Sequence, residues 1–318
     1  VSDHFTDRII DICRKKDSRL VVGFDPVYSK LPAAITEQKE LNDELDSEAS
    51  LDAIMEFGRK VFRLVAEDAV AVKMNIAFFE RYLWDGLDAF YSLIQEADAL
   101  GLEVIADAKL CDIGSTAQSY AEGLLANPNF VNMDDLVGPD AITVNPYCGV
   151  EGVQPFIDVA QQQGKGVFVL VRSSNPSGAD VQDFADAGGK RLFEHVAEHV
   201  ASWASASGLI GQSGFSSVGM IVGATKPDDL SLLRERYPRI PLLVPGYGAQ
   251  GASAADCAKG FRPDGIGTLV ASSRSIIYAF DRPEYVEMFS GDWQACVQRA
   301  AADMRKELNQ ALAARASR

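Results

Sequence analysis

The stretch Leu102-Glu-Val-Ile-Ala-Asp107-Ala-Lys109-Leu-Cys-Asp112 starts as an apolar, β-branched run and ends in charge. A run of this length and composition reads as a buried strand. Charges placed at its far end are costly to bury unless they are paired. The preceding run, Ala69–Asn75 (AVAVKMN), has the same form and ends in Lys73 and Asn75. Further out lie Arg19–Asp25 (RLVVGFD) on one side and Asp140–Asn145 (DAITVN), Gly166–Arg172 (GVFVLVR), Ser217–Gly223 (SVGMIVG), Ile240–Pro245 (IPLLVP) and Gly265–Val270 (GIGTLV) on the other. Most are followed by a helical pattern, which makes them βα units with parallel pairing. Eight such units predict an α/β fold, a single (β/α)8 TIM barrel with a parallel eight-stranded core, spanning residues 1–318 as one domain. A doubly wound open sheet is the competing arrangement for the same alternation.

The composition is that of a globular chain with a sizeable core: 318 residues, 47% apolar and 24% charged. A formal charge of −15 argues against nucleic-acid binding, which draws most of its affinity from a basic face. It leaves room for an anionic metabolite, because a few cations in one pocket can outweigh a distributed surface charge. No apolar run approaches the roughly 18 residues of a membrane span, and Val1-Ser-Asp-His-Phe-Thr-Asp7 does not read as a signal peptide. The cysteines, Cys13, Cys111, Cys148, Cys257 and Cys296, are odd in number and far apart, without a C-x-x-C. They are expected to be free thiols of a reducing cytoplasm, each serving packing rather than chemistry. Two stretches interrupt the βα rhythm: acidic Lys30–Ser50, expected as a surface excursion, and Ser174–Ser216, with a helix expected near Gly188–Ser207. The Ala/Arg-rich end of Glu284–Arg318 is expected as a helix on the outside of the barrel.

Barrel enzymes carry their chemistry at the C-terminal ends of the strands. Those ends here hold Asp25, then Lys73 and Asn75, then Asp107 and Lys109 followed by Asp112, then Thr143 and Asn145, then Arg172, Ser173 and Ser174. Pro245–Gly251 (PGYGAQG) and Ser272-Ser273-Arg274 follow the last two strands. Asp107 and Lys109 are two apart and should project to the same side of a strand. A single D-x-K could be no more than a salt bridge plugging the barrel mouth. Four alternating charges on consecutive strands, beside two candidate phosphate loops, argue for a working site.

Asp107-Ala-Lys109-Leu-Cys-Asp112-Ile113-Gly-Ser-Thr116 resembles the D-x-K-x-x-D-I-x-x-T signature of the orotidine 5′-phosphate decarboxylase family. The likeness extends over nearly the whole barrel. Gly23-Phe-Asp25 resembles the strand-1 aspartate that holds the ribose, and Val72-Lys73 the strand-2 lysine. Arg172-Ser-Ser174-Asn-Pro176 resembles the loop that reads the pyrimidine. Pro245-Gly-Tyr-Gly-Ala-Gln250-Gly resembles the phosphate-gripping loop, and Ser273-Arg274-Ser275 the phosphate arginine. The length, with Phe78-Phe-Glu80 and Asn145-Pro-Tyr-Cys-Gly149, is similar to a longer bacterial subgroup.

The resemblance implies conversion of orotidine 5′-phosphate to UMP and CO2, the last step of UMP biosynthesis, without metal or organic cofactor. It implies catalytic roles for Lys73, Asp107, Lys109 and Asp112, with Lys109 stabilising and protonating a carbanion at C6 of the pyrimidine. Substrate contacts would fall to Asp25, Ile113, Thr116, Ser174, Pro245, Gln250, Ser273 and Arg274. It also implies a homodimer in which Asp112, Ile113 and Thr116 complete the partner's site. The alternative is a metal-dependent sugar-phosphate decarboxylase or aldolase on a related barrel, which shares D-x-K-x-x-D but carries a carboxylate in the region where Lys73 stands.

Two motifs compete. Gly246-Tyr-Gly248-Ala-Gln-Gly251 matches G-x-G-x-x-G, yet it follows the seventh run and lacks an acidic residue ending the next one, so a dinucleotide site is not expected. His195-Val-Ala-Glu198-His199 matches the zinc pattern H-x-x-E-H. The simpler expectation is a solvated stripe beside Leu192, Val196, Val200 and Trp203.

Overall fold

The computed structural model describes residues 4–37 and 46–316. Eight strands form a closed barrel in sequence order: β1 (Leu20–Phe24), β2 (Ala69–Asn75), β3 (Glu103–Leu110), β4 (Ala141–Val144), β5 (Gly166–Arg172), β6 (Val218–Val222), β7 (Leu242–Pro245) and β8 (Thr268–Ser272). All neighbours pair in parallel, and β1 closes on β8 through Leu20↔Val270, Val21↔Ala271 and Val22↔Ser272. The expected (β/α)8 barrel is therefore the observed fold, and the open doubly wound sheet is excluded.

Strand alternation sorts the side chains into two apolar clusters. Val22, Phe24, Val72, Met74, Val104, Ala106, Ile142, Val144, Val167 and Val169 face the helices. Val21, Ala71, Ile105, Ala141, Phe168, Ile221, Leu243, Leu269 and Ala271 face the barrel interior. Helix Phe5–Lys16 joins the interior cluster through Phe5, Ile9, Ile10 and Cys13, so it closes one end of the barrel. Phe5 meets Phe168 edge to face at 6.0 Å between centroids. Carried upward, the inward parity of Ala71, Ile105 and Ala141 puts Lys73, Asp107 and Thr143 at the opposite, C-terminal mouth.

Several boundaries differ from expectation. β8 begins at Thr268 rather than Gly265, because Gly265 and Gly267 take φ of 73° and 89°, outside the extended region. β3 continues past Asp107 to Leu110, with an irregular register between Ala106 and Leu110. In Ser174–Ser216 the helix runs over Leu192–Trp203, preceded by a turn at Pro176–Gly178 and a short helix at Ala179–Gln182. Its buried face is Phe193, Glu194, Ala197 and Val200, so Leu192 belongs to the exposed side rather than to the apolar stripe. Part of the Lys30–Ser50 excursion, residues 38–45, lies outside the described residues. Its flanks are more integrated than expected: Leu31 and Ile35 are buried, and the Asp46 carboxylate caps helix Ser47–Val65 by accepting from the Glu48 and Ala49 amides at 3.0 Å each. The tail forms helix Trp293–Ala316, packed outside the barrel against helices Ser47–Val65 and Ala254–Ala258.

Candidate active site

A cleft of about 230 Å³ opens at the C-terminal mouth, lined by polar groups or strand-end loops from every strand but β6, which contributes Ile221. Asp107, with a side chain only 7% exposed, is its electrostatic centre. One carboxylate oxygen accepts from the Lys73 ammonium and the other from the Lys109 ammonium. The Thr143 hydroxyl donates to the second oxygen at 2.9 Å and accepts from the Lys109 amide at 3.1 Å. Burial pushes the Asp107 carboxyl upward, but Lys73 and then Lys109 outweigh it and hold the group well below the usual carboxylate range. Burial likewise opposes the Lys73 charge, and Asp107 with Asp25 overcomes it, raising the ammonium's pKa. Asp107 and Lys73 are thus ionised together near neutral pH.

Lys73 and Lys109 differ in access. The Lys73 side chain is 9% exposed and that of Lys109 42%. Lys109 also stands at φ 48°, a left-handed conformation that costs a non-glycine residue roughly 1–2 kcal/mol. The strand detours at this residue and resumes with Leu110 paired to Val144. Such strain collects at functional positions. Asp25, just past β1, has one buried carboxylate oxygen without a hydrogen-bond partner among the described residues, as does the Ser272 hydroxyl nearby. Both are polar groups left for something in the cleft.

The opposite wall is made by Pro245–Gly251 and Ser273–Arg274. Gly248, at φ 69°, approaches so closely that a Cβ there would lie 2.6 Å from the Ser275 hydroxyl oxygen, which itself accepts from the Ala249 amide at 3.0 Å. At Gly23 a Cβ would overlap the Ser273 side chain, so only glycine lets β1 pass beneath Ser273. The Tyr247 hydroxyl donates to Glu307 on the C-terminal helix, tying this loop down. The Arg274 guanidinium is exposed at the cleft and makes no ion pair among the described residues.

Ser173 and Ser174 line the third side. Gln182 folds back onto them: its carbonyl accepts from the Ser173 amide at 3.0 Å and its NH2 donates to the Ser173 hydroxyl at 2.8 Å. Arg172 turns away from the cleft. Its side chain is 2% exposed, pairs with Asp183 at 2.7 Å and Asp229 at 3.0 Å, and stacks over Phe193 at 4.9 Å.

The structure thus gathers Asp25, Lys73, Asp107, Lys109, Ser174, Pro245, Gln250, Ser273 and Arg274 around one cleft. Asp112, Ile113 and Thr116 are not among its lining. They stand at the start of helix Gly114–Leu124, where Ile113 is half exposed and Asp112 accepts from the Ile113 amide at 2.8 Å. Thr143 was noted from sequence at the end of its strand but given no role, and Tyr247 and Gln182 were not singled out. Gln182 lies in a loop whose fold no local pattern announces.

The competing motifs resolve otherwise. Gly246, Gly248 and Gly251 belong to the loop after β7 and not to a first βα turn. His195 lies 2.9 Å from Asp186, His199 stacks on Trp203, and Glu198 pairs with Lys190. Among the described residues no group of three or more His, Cys, Asp or Glu side chains could hold a metal ion.

A parallel barrel with alternating ammonium and carboxylate groups across its mouth, and a glycine-built loop with a free arginine opposite, has the layout of a barrel enzyme for an anionic substrate. The profile of the orotidine 5′-phosphate decarboxylase / HUMPS family matches residues 36–289, and the chain belongs to that family. It is 35% identical over 310 residues to orotidine 5′-phosphate decarboxylase of Caldicellulosiruptor saccharolyticus, covering 97% of this chain and 99% of that one. It is 39% identical over 295 residues to the enzyme of the same name from Halobacterium salinarum, covering 92% and 94%. Among solved structures, Leishmania donovani OMP decarboxylase superposes with a TM-score of 0.71 at 29% identity, over 97% of this chain and 99% of that one.

Proposed function

We propose that this chain is a carboxy-lyase that converts orotidine 5′-phosphate to UMP and CO2, using its own charges and no metal or organic cofactor. The observation that carries this is the hydrogen-bonded Lys73–Asp107–Lys109 set, with the more accessible lysine, Lys109, facing the cleft. The relatives that match along nearly the whole chain carry the same activity in their names. The metal-dependent sugar-phosphate alternative is not favoured, since Lys73 occupies the region where those enzymes carry a carboxylate.

The bond from C6 of the pyrimidine to its carboxylate breaks, and the electron pair stays on C6. The Lys109 ammonium lies beside that carbanion, lowers its energy, and then transfers a proton to C6; solvent restores the ammonium. Charge fixed in advance at the place where charge develops is commonly the largest catalytic contribution. Asp107 holds the Lys109 side chain aimed, and Lys73 keeps Asp107 ionised. Lys73 and Asp25, with its unsatisfied oxygen, take the ribose hydroxyls. Ser174 reads the base edge, while Pro245, Gln250, Ser273 and Arg274 gather the phosphate. A guanidinium can offer a phosphate two parallel hydrogen bonds. An absorbance assay with orotidine 5′-phosphate under excess chelator tests this. Turnover is the expected result; none, or turnover only with added divalent metal, would overturn it.

We further propose a cytoplasmic homodimer whose two sites are each completed by Asp112, Ile113 and Thr116 of the other subunit. Helix Gly114–Leu124 and the segment after it expose Tyr120, Phe130, Val131 and Met133, and the segment leading into helix Val150–Gln163, which packs on that helix, exposes Tyr147 and Val150; large apolar side chains left in water often mark an interface. A two-fold interface would make the exchange reciprocal. Mixing inactive Lys109→Ala and Asp112→Ala proteins, then dissociating and reassociating them, should restore about a quarter of wild-type sites by random pairing. No recovery, with heterodimers verified by mass, would place Asp112 outside the partner's site.

A further inference from the structure

Tyr278 stands one turn beyond Arg274, at the end of helix Arg274–Ile277, and its amide bonds to the Arg274 carbonyl at 3.2 Å. Its side chain reaches back to the end of β1. There the hydroxyl donates to the Asp25 carbonyl at 3.2 Å and accepts from the Val27 amide at 2.9 Å. Both bonds go to the short segment that carries Asp25 out of the strand. Pro26, between the two bonded residues, has no amide to contribute, so the segment cannot tie itself down through that position.

The ring is only 6% exposed and is held on several sides. It stacks on Phe57 with 6.3 Å between centroids and 7° between planes, meets Phe280 edge to face at 6.1 Å, and has the Lys30 ammonium 5.9 Å from its centroid. Burial, with Asp25 adding to it and the Val27 amide opposing it, pushes the phenol up to about 12. The hydroxyl therefore keeps its proton and serves as donor and acceptor at once. The neighbouring rings are Phe57 and Phe280, so packing alone asks for no hydroxyl at this place.

What the hydroxyl holds is the main chain of a cleft residue. Asp25 turns a buried carboxylate oxygen without a hydrogen-bond partner among the described residues toward the site, and its charge helps to keep Lys73 an ammonium. The direction of a short side chain is set by the backbone beneath it, and misplacements of about 1 Å near a site can cost on the order of a hundredfold.

We propose that Tyr278 is a positioning residue for the sugar: its hydroxyl fixes the chain on both sides of Pro26 so that the Asp25 carboxylate meets the ribose hydroxyls of a nucleoside 5′-monophosphate. This rests on the decarboxylase reading, which gives those hydroxyls to Asp25 and Lys73. Tyr278 itself does not line the cleft. It acts through Asp25, and it joins the helix that carries the phosphate arginine to the strand end that carries the ribose carboxylate.

The test is calorimetric titration of the intact protein with UMP and with 2′,3′-dideoxyuridine 5′-monophosphate, which lacks both ribose hydroxyls. Tyr278→Phe keeps the ring and its stacking and removes only the hydroxyl. A hydrogen bond to a charged group is worth about ten- to a hundredfold in affinity, so the parent should prefer UMP by about tenfold or more. In Tyr278→Phe that preference should fall to within about threefold, while affinity for the dideoxy analogue stays within about twofold of parental. In Asp25→Ala protein nothing is left to aim, and adding Tyr278→Phe should change UMP affinity by less than about twofold. A preference kept in Tyr278→Phe, an equal loss for both nucleotides, or a further large loss on the Asp25→Ala background would each overturn the proposal. A parent that does not distinguish the two nucleotides would overturn the reading of the cleft as well, and that failure is separate because it appears without any substitution.

Discussion

Replacing Lys109 separates chemistry from stability more cleanly than any other change in the site. Asp107 would keep its bonds to Lys73 and Thr143, so no buried charge is stranded. The lost ion pair involves a side chain 42% exposed, and such pairs contribute about 0.2–1 kcal/mol. Lys109→Gly also relieves the backbone at φ 48°, a gain of roughly 1–2 kcal/mol, against about 0.5–1 kcal/mol for the freer unfolded chain. These contributions nearly cancel, so Lys109→Gly should unfold within about 1 kcal/mol of the parent. Lys109→Ala keeps the strain and should be about 1 kcal/mol less stable than the glycine variant. Catalysis should collapse in both. Removing a preorganised electrostatic group costs about 10²–10³ in kcat, and removing the proton donor adds about 10²–10⁴. A combined loss of at least about 10³ is expected in the orotidine 5′-phosphate absorbance assay, with denaturant unfolding run in parallel. If either variant keeps more than about a tenth of parental kcat, a loss under ~1.4 kcal/mol, the ammonium does not act on the reacting carbon. If Lys109→Gly loses more than about 2 kcal/mol of stability, the residue is structural.

Arg274→Ala should weaken binding of UMP strongly, by about 1.5–3 kcal/mol for a lost charged hydrogen bond, and that of uridine little; calorimetric titration giving equal losses would place the guanidinium away from the phosphate. Gln182→Leu strips the Ser173 amide and hydroxyl of their partners and should raise KM several-fold more than it lowers kcat, with Gln182→Glu restoring only the acceptor half; steady-state kinetics unchanged in Gln182→Leu would mean Ser173 is held by other means. At the closed end of the barrel, Glu103 pairs with Arg8 through two bonds of 3.0 Å, yet burial and then Asp140 push its acid up to about 7 from an ordinary 4.5. The folded protein then holds a proton that the unfolded chain releases across that window, so this contribution is full below pH 4.5 and fades as pH rises toward 7. Glu103→Gln should flatten the slope of thermal midpoint against pH over the interval, and parallel slopes in the two proteins would refute the assignment.

The barrel was legible because its strands are apolar on both faces, and the period-2 rule then extends that order to the polar residues above. Ala71 points inward, so Lys73 does; Ile105 points inward, so Asp107 does. The same rule fails at Arg172. Phe168 and Leu170 face inward, which predicts an inward Arg172, but the β5–β6 register shifts between Leu170 and Arg172. The shift delivers the guanidinium to Asp183 and Asp229, partners on separate segments that no local pattern reveals. The contact of Cys111 with Cys148, whose sulfurs lie 3.3 Å apart, was hidden for a similar reason, being set by pairing between strands and by a turn rather than by spacing along the chain.

Lys109 shows the limit most sharply. Two-residue spacing correctly implied that it meets Asp107, but a regular strand does not make the meeting. Here β3 breaks register after Ala106, Lys109 turns left-handed so that its ammonium returns to the Asp107 carboxylate, and its amide bonds to Thr143 before Leu110 rejoins β4. Aiming the ammonium thus rests on an unfavourable backbone conformation, held in place by the hydroxyl of Thr143 and the ordered strands on either side. Packing alone gives no reason to keep a lysine there, since glycine would fit the backbone better. The charge is the remaining reason, and it places the strain at the residue assigned to the proton transfer.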